Sequence, residues 1–168
     1  MKTCAKWLAT TLLAAAPFAA SADFWLLEKE AVCGTKNCKI DVEAAEPNIF
    51  GCSIGAIKTK YAGAEVDTLK ITEKNTVITW ELPKGFMFCP VRGDGVFLSD
   101  DDPNFQFEAD GFDDDKSIKA KGCKKRFRMI GANDNPSDSG KKFKYVIRFR
   151  SETKPSTLCE RDPWIRNS

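Results

Sequence analysis

The chain reads as an all-β protein: an antiparallel β-sandwich, immunoglobulin-like or related, with an irregular N-terminal segment pinned by disulfides. Three observations predict it. Short apolar and polar residues alternate between Gly, Pro, Asn and Asp clusters; six cysteines follow an export signal; and no convincing amphipathic helix occurs after residue 65.

At the N-terminus, Lys2 and Lys6 precede an apolar run from Trp7 to Ala16, and Ala20-Ser21-Ala22 forms a small-residue cleavage signature. The run is too short for a membrane span of about 20 residues. Residues 1–22 are therefore expected to be a secretory signal, and 23–168 a single mature domain, exported to a periplasm or beyond the cell. Cys4 falls inside the signal. The remaining cysteines are Cys33, Cys38, Cys52, Cys89, Cys123 and Cys159, an even set that suits three disulfides in an oxidising compartment. Zinc would want closely spaced ligand pairs and usually histidine. Cys33–Cys38 is the expected small loop, and the other pairings stay open.

Residues 23–65 show the least regular pattern. Phe24 to Val32 suits a helix or an edge strand, Ile40 and Val42 a short strand, with Cys33, Cys38 and Cys52 fastening the segment to the sandwich of residues 66–168. In that sandwich, Leu69 and Ile71 share one face. Beyond a turn at Glu73-Lys74-Asn75, so do Ile78, Trp80 and Leu82. Pro83-Lys84-Gly85 ends that strand, and Phe86 and Phe88 begin another. Asp94-Gly95 suits a tight turn before Val96-Phe97-Leu98, Phe105 and Phe107 mark a further strand, and Ile118 and Ala120 a weaker one.

The strongest periodicity is Lys142-Phe143-Lys144-Tyr145-Val146-Ile147-Arg148-Phe149-Arg150, where odd positions are apolar and even ones, Val146 apart, are basic. A period of two implies one buried and one solvated face. Arg126-Phe127-Arg128-Met129 repeats the pattern, and turn residues fill Asn133 to Gly140. The two stretches together predict a hairpin with a basic outer face.

Removing the signal takes away two lysines and no acid, so 26 basic residues become 24 against 24 acidic ones. Net charge then steers the protein toward no partner, but its distribution is segregated. Asp94 to Asp115 holds nine acids and no base, and Lys116 to Arg150 twelve bases and two acids. The basic face of Arg126, Arg128, Lys142, Lys144, Arg148 and Arg150 suits an acidic protein, lipid headgroups or an anionic polymer at or outside the cell surface. Nucleic acid ranks below these, because an exported protein rarely meets it and no recognition motif is present. The competing explanation is a solvated strand face, with lysines that block edge-to-edge aggregation and an acidic block that neutralises it.

The chain contains no histidine. That excludes hydrolases with an imidazole base, the usual zinc hydrolase sites and histidine-ligated copper. No catalytic residue is assigned and no cofactor is expected; a calcium site is the one metal alternative. Asp100-Asp101-Asp102 and Asp113-Asp114-Asp115 could supply its oxygen ligands, although neither run fits the EF-hand pattern and solvated turns explain both. A polysaccharide hydrolase would draw on Asp100, Asp102, Glu108 or Asp110. A secreted toxin or effector shares every feature of a binding module. Arg92-Gly93-Asp94 spells an adhesion tripeptide that common residues produce by chance. Among the tryptophans, Trp25, Trp80 and Trp164 could stack on sugars, but Trp80 fits the core and Trp164 a place beside Pro163.

The C-terminal Asp162-Pro163-Trp164-Ile165-Arg166-Asn167, with the Trp80, Phe105/Phe107 and Lys142 to Arg150 strands, resembles small exported bacterial proteins that end in Asp-Pro-x-Ile-x-Asn. The resemblance covers residues 68 to 167. It implies a β fold and assigns no activity. The six cysteines depart from the plainer examples. These readings converge on an exported, disulfide-stabilised, non-catalytic binding module.

Overall fold

The first two apolar runs do not fold back within one sheet; each crosses from one sheet to the other. In the computed structural model, which describes residues 29–48, 51–52, 56–99, 107–113, 122–131 and 139–167, β1 (Glu30–Cys33) passes through a short arch into β2 (Asn37–Glu43) of the facing sheet. After β3 (Lys58–Tyr61) and β4 (Ala64–Glu65), β5 (Thr68–Ile71) arches in the same way into β6 (Thr76–Glu81). The arches stack. Thr72 donates its N–H (3.2 Å) and hydroxyl (3.2 Å) to the Cys33 carbonyl, Val77 N–H donates to Lys36 O (2.8 Å), and the Lys36 ammonium donates to Lys74 O. Stacking places β1 beside β5 and β2 beside β6, both running parallel. Asn75, with φ 53°, turns the second arch in a left-handed conformation that asparagine tolerates.

This arrangement corrects the antiparallel expectation. The molecule is all-β and sandwich-like, but both sheets are mixed. A turn residue with positive φ serves a hairpin and an arch equally well, so local sequence does not choose between them. The segment expected to be irregular contributes β1 to β4, and β2 lies in the interior of its sheet.

The remaining strands are β7 (Phe86–Met87), β8 (Gly95–Leu98), β9 (Phe107–Asp113), β10 (Arg126–Gly131), β11 (Lys142–Ser151), β12 (Leu158–Arg161) and β13 (Trp164–Asn167). β11 is the axis of the first sheet. Along one side the register runs unbroken from Arg150↔Leu158 through Ile147↔Arg161 to Lys142↔Arg166. β12 and β13 are thus one strand interrupted at Asp162-Pro163, where proline lacks an N–H but its carbonyl still accepts from Tyr145 N–H (3.0 Å). β7 and β8 line the other side, and β5 and then β1 continue the sheet beyond β13. The second sheet has the order β4-β3-β2-β6-β10-β9.

β10 and β11 therefore belong to different sheets, and the predicted hairpin does not form. Their alternation is nevertheless present: Phe127 and Met129 point inward from one sheet, and Phe143, Tyr145, Ile147 and Phe149 from the other. Trp80 is fully buried and meets Tyr145 at 5.4 Å between centroids. Phe107 meets Phe143 at 5.1 Å and Phe112 meets Phe127 at 4.9 Å. Each such side chain contributes about 1.5–3 kcal/mol by leaving water.

The three bridges are Cys33–Cys38, as expected, Cys52–Cys159 and Cys89–Cys123. The first closes the β1–β2 arch. The third joins the excursion after β7 to the run into β10, beside a backbone bridge between Phe88 and Lys124, so both fasten one sheet to the other. The expected Asp94-Gly95 turn is also reassigned. The chain turns over Pro90–Arg92 and Gly93 (φ 74°), Asp94 is buried, and Gly95 already belongs to β8.

Candidate anion-binding face

Placing β10 and β11 in opposite sheets divides the predicted basic face in two. Arg126 and Arg128 lie on the outer face of the second sheet. Arg126 Nε contacts Glu81 Oε2 at 2.8 Å, and Lys39 Nζ lies 3.3 Å from the same oxygen. Arg128 Nε is 3.2 Å from Asp110 Oδ2; Asp110 is the extra residue of a bulge in β9, which turns its carboxylate toward the arginine. Lys60–Glu43 (2.7 Å) and Lys39–Asp41 (3.0 Å) extend this arrangement. Burial acts to raise the Glu81 carboxyl, but hydrogen bonds from Arg126 and Lys39 outweigh it and hold the group below its usual range. Cations and carboxylates on this face answer one another.

The β11 residues lie on the first sheet, where their roles differ. Arg150 is a structural residue with a side chain only 13% exposed. Its Nε donates to both Asp94 oxygens (3.1 and 3.0 Å) and its Nη1 to the Pro155 and Ser156 carbonyls. Asp94 also accepts the Cys89 N–H at 3.0 Å. Desolvation raises its carboxyl above the ordinary value, against the Cys89 hydrogen bond and the Arg150 charge. An adhesion role for Arg92-Gly93-Asp94 fails on this geometry, because the carboxylate that a receptor would bind is buried.

Arg148 pairs with Glu160 (2.7 Å) and lies 5.8 Å from the centroid of the exposed Phe97 ring. Lys144 pairs with Asp162 (2.8 Å). Lys142 stands in a different setting. Register aligns Val32 of β1, Lys70 of β5, Arg166 of β13 and Lys142 of β11 in one row across four strands. Their inward-facing neighbours Leu69, Ile165 and Phe143 are buried, so the row faces outward. Adjacent strands lie about 4.8 Å apart, and three cations stand side by side. The next row is Glu30, Thr68, Trp164 and Lys144; from it Glu30 reaches diagonally to Arg166.

Sequence reasoning missed Lys70 and Arg166. Each occupies the polar position of a short alternating strand, Thr68-Leu69-Lys70-Ile71 and Trp164-Ile165-Arg166. Antiparallel pairing of β13 with β11 sets Arg166 opposite Lys142, and Lys70 joins the row through a parallel pairing between segments almost a hundred residues apart; neither leaves a local signal.

Two clefts among the described residues hold carboxylates beside cations. One, of about 650 Å³, includes Cys52, Leu158, Glu160, Arg161 and Asp162, and both its carboxylates are in ion pairs with β11 cations. The other, of about 630 Å³, holds Asp41, Glu43 and Glu81 beside Lys60, Lys84 and Lys125. Glu108 and Asp110 lie exposed on β9. Asp100, Asp101, Asp102, Asp114 and Asp115, together with Trp25, Phe105, Ile118 and Ala120, lie outside the described residues, as does the Asp113 side chain; so does the proposed signal segment. Among the described residues, no group of three or more His, Cys, Asp or Glu side chains could hold a metal. A comparison with known proteins finds no family model and no curated relative that matches this chain.

Proposed function

We propose that this protein is an exported, disulfide-stabilised, non-catalytic binding module that engages an anionic partner through the outer face of its first sheet. The observation that carries the reading is the row Lys70, Arg166, Lys142. Like charges directly opposite one another destabilise a sheet, so a register that sets three cations side by side calls for a compensating role. The register gathers three cations in one outward row on a rigid scaffold, with Lys144 and Trp164 in the adjoining row and the carboxylates of Glu30 and Asp162 paired to Arg166 and Lys144. Three disulfides are consistent with export, where such bonds persist. Of the basic residues singled out from sequence, Lys142 and Lys144 belong to this surface; Arg148 lies farther along β11, Arg150 braces the Asp94 loop at its far end, and Arg126 and Arg128 lie on the opposite side.

Affinity capture with the mature, oxidised protein against envelope and culture-medium extracts of its source cells tests the reading. The expected result is a salt-sensitive partner that Lys70→Glu and Lys142→Glu lose and Arg126→Glu keeps. Equal retention by all three variants would remove this face as the binding site.

A further inference from the structure

We infer that the ligand of this face is a linear anionic polysaccharide, laid across the strands from β5 to β11. The inference rests on the binding role proposed above and names the partner's chemistry. Its first support is geometric. The cations of Lys70, Arg166 and Lys142 originate from a straight row at the strand spacing of about 4.8 Å, perpendicular to the strands. In an extended acidic polypeptide, side chains on one face recur about every 6.8 Å, which drifts out of step with such a row within two positions. In a linear glycan with an acidic group on alternate rings the charges recur every two rings, close to two strand spacings, and so fall in step with Lys70 and Lys142 on either side of Arg166.

The second support is Trp164. It takes an outward position beside Arg166, in the row between Lys144 and the buried Thr68, and is itself part-exposed. An aromatic plane next to a cation row offers apolar stacking to a sugar ring, which a lipid headgroup or a carboxylate side chain cannot use. Val32, 54% exposed, extends the cation row by one apolar position at its β1 end. The ligand would therefore lie with anionic groups over Lys70 and Lys142, the Arg166 guanidinium between them, and a ring face over Trp164. The Glu30 carboxylate, which pairs with Arg166, would compete with the ligand for that guanidinium.

Titration of the mature, oxidised protein with heparin and hyaluronate oligosaccharides, with poly-L-glutamate of matched charge and with phosphatidylserine vesicles tests the inference. Glycan binding should weaken with salt, drop about tenfold in Lys70→Gln through loss of one charge-assisted contact, and persist in Arg126→Gln. Glu30→Gln should strengthen it. Tryptophan fluorescence should change on glycan addition in the wild type and not in Trp164→Phe; melting curves confirm that each variant folds. Equal affinity for poly-L-glutamate or the vesicles, with the same Lys70 dependence, would overturn the glycan assignment in favour of an acidic protein or a membrane. If no glycan binds but a captured partner still depends on Lys70, this inference fails and the binding role stands. If Lys70→Gln alters binding to nothing, both fail.

Discussion

Asp94 shows how one side chain can decide between a surface motif and a structural brace. In sequence it completes an adhesion tripeptide; in the fold its carboxylate joins the Cys89 N–H to the Arg150 guanidinium, which in turn holds the loop at Pro155 and Ser156. Asp94→Ala removes the acceptor of both the Cys89 N–H and the Arg150 guanidinium, and should cost about 1–3 kcal/mol in urea unfolding. Gly95, the next residue, lies under an aromatic cluster. A Cβ there would stand 3.2 Å from the Phe97 ring and 3.3 Å from Phe127, at a φ of 153°. Gly95→Ala should therefore lower stability by about 1–3 kcal/mol, read from the same transition. Glu81 supplies a pH dependence with a definite sign. Its carboxyl is held below the ordinary value of 4.5, so the native state favours the charged form. That contribution is present above pH 4.5 and is lost as pH falls through the lower native value. Asp94 acts oppositely: its raised native value favours the neutral form, so its contribution is present below 3.8 and is lost as pH rises through the raised value. The stability difference between wild type and Glu81→Gln should accordingly shrink on acidification below pH 4.5; a constant difference would mean that the Arg126 and Lys39 contacts do not favour ionisation.

The scale of the element explains which expectations held and which did not. Alternation is a local property, so the strands at Leu69 and Ile71, at Ile78 to Leu82, at Arg126 to Met129 and at Lys142 to Arg150 were all legible. The inward residues among them, Trp80 included, are buried. Pairing is a long-range property. The turn at Glu73-Lys74-Asn75 exists, yet it leads to the facing sheet, because the preceding arch at Gly34 to Lys36 supplies carbonyls for it to stack upon. Disulfide pairing likewise depends on which loops meet in space, and only Cys33–Cys38, five residues apart, was within reach of local reasoning. The bridges should differ in their contribution. In a chain-entropy account, closing the 107-residue separation of Cys52–Cys159 is worth about 4–5 kcal/mol, and the five-residue separation of Cys33–Cys38 about 2. Paired Cys→Ser variants should melt in that order, Cys52/Cys159 lowest. The reverse order would show that the small bridge acts chiefly by holding the stacked arches.

At the scale of the whole molecule, the described cations of the basic stretch do not gather into one block. The basic stretch is divided between the two sheets, and its members meet carboxylates from several places: Glu81, Asp94, Asp110, Glu160 and Asp162. The two outer faces differ in how their cations are arranged. The second sheet carries interleaved charge, and the first carries the Lys70, Arg166, Lys142 row. The candidate site was thus half legible: Lys142 and Lys144 from their strand, Arg166 only from its antiparallel register with β11 and Lys70 only from parallel register with β13. Chemical-shift mapping with a heparin oligosaccharide tests the central claim most directly. The account predicts shifts in the amides of Lys70, Arg166 and Lys142 and in the Trp164 indole, with β10 silent. Shifts centred on Arg126 and Arg128, or none at saturating ligand, would contradict it.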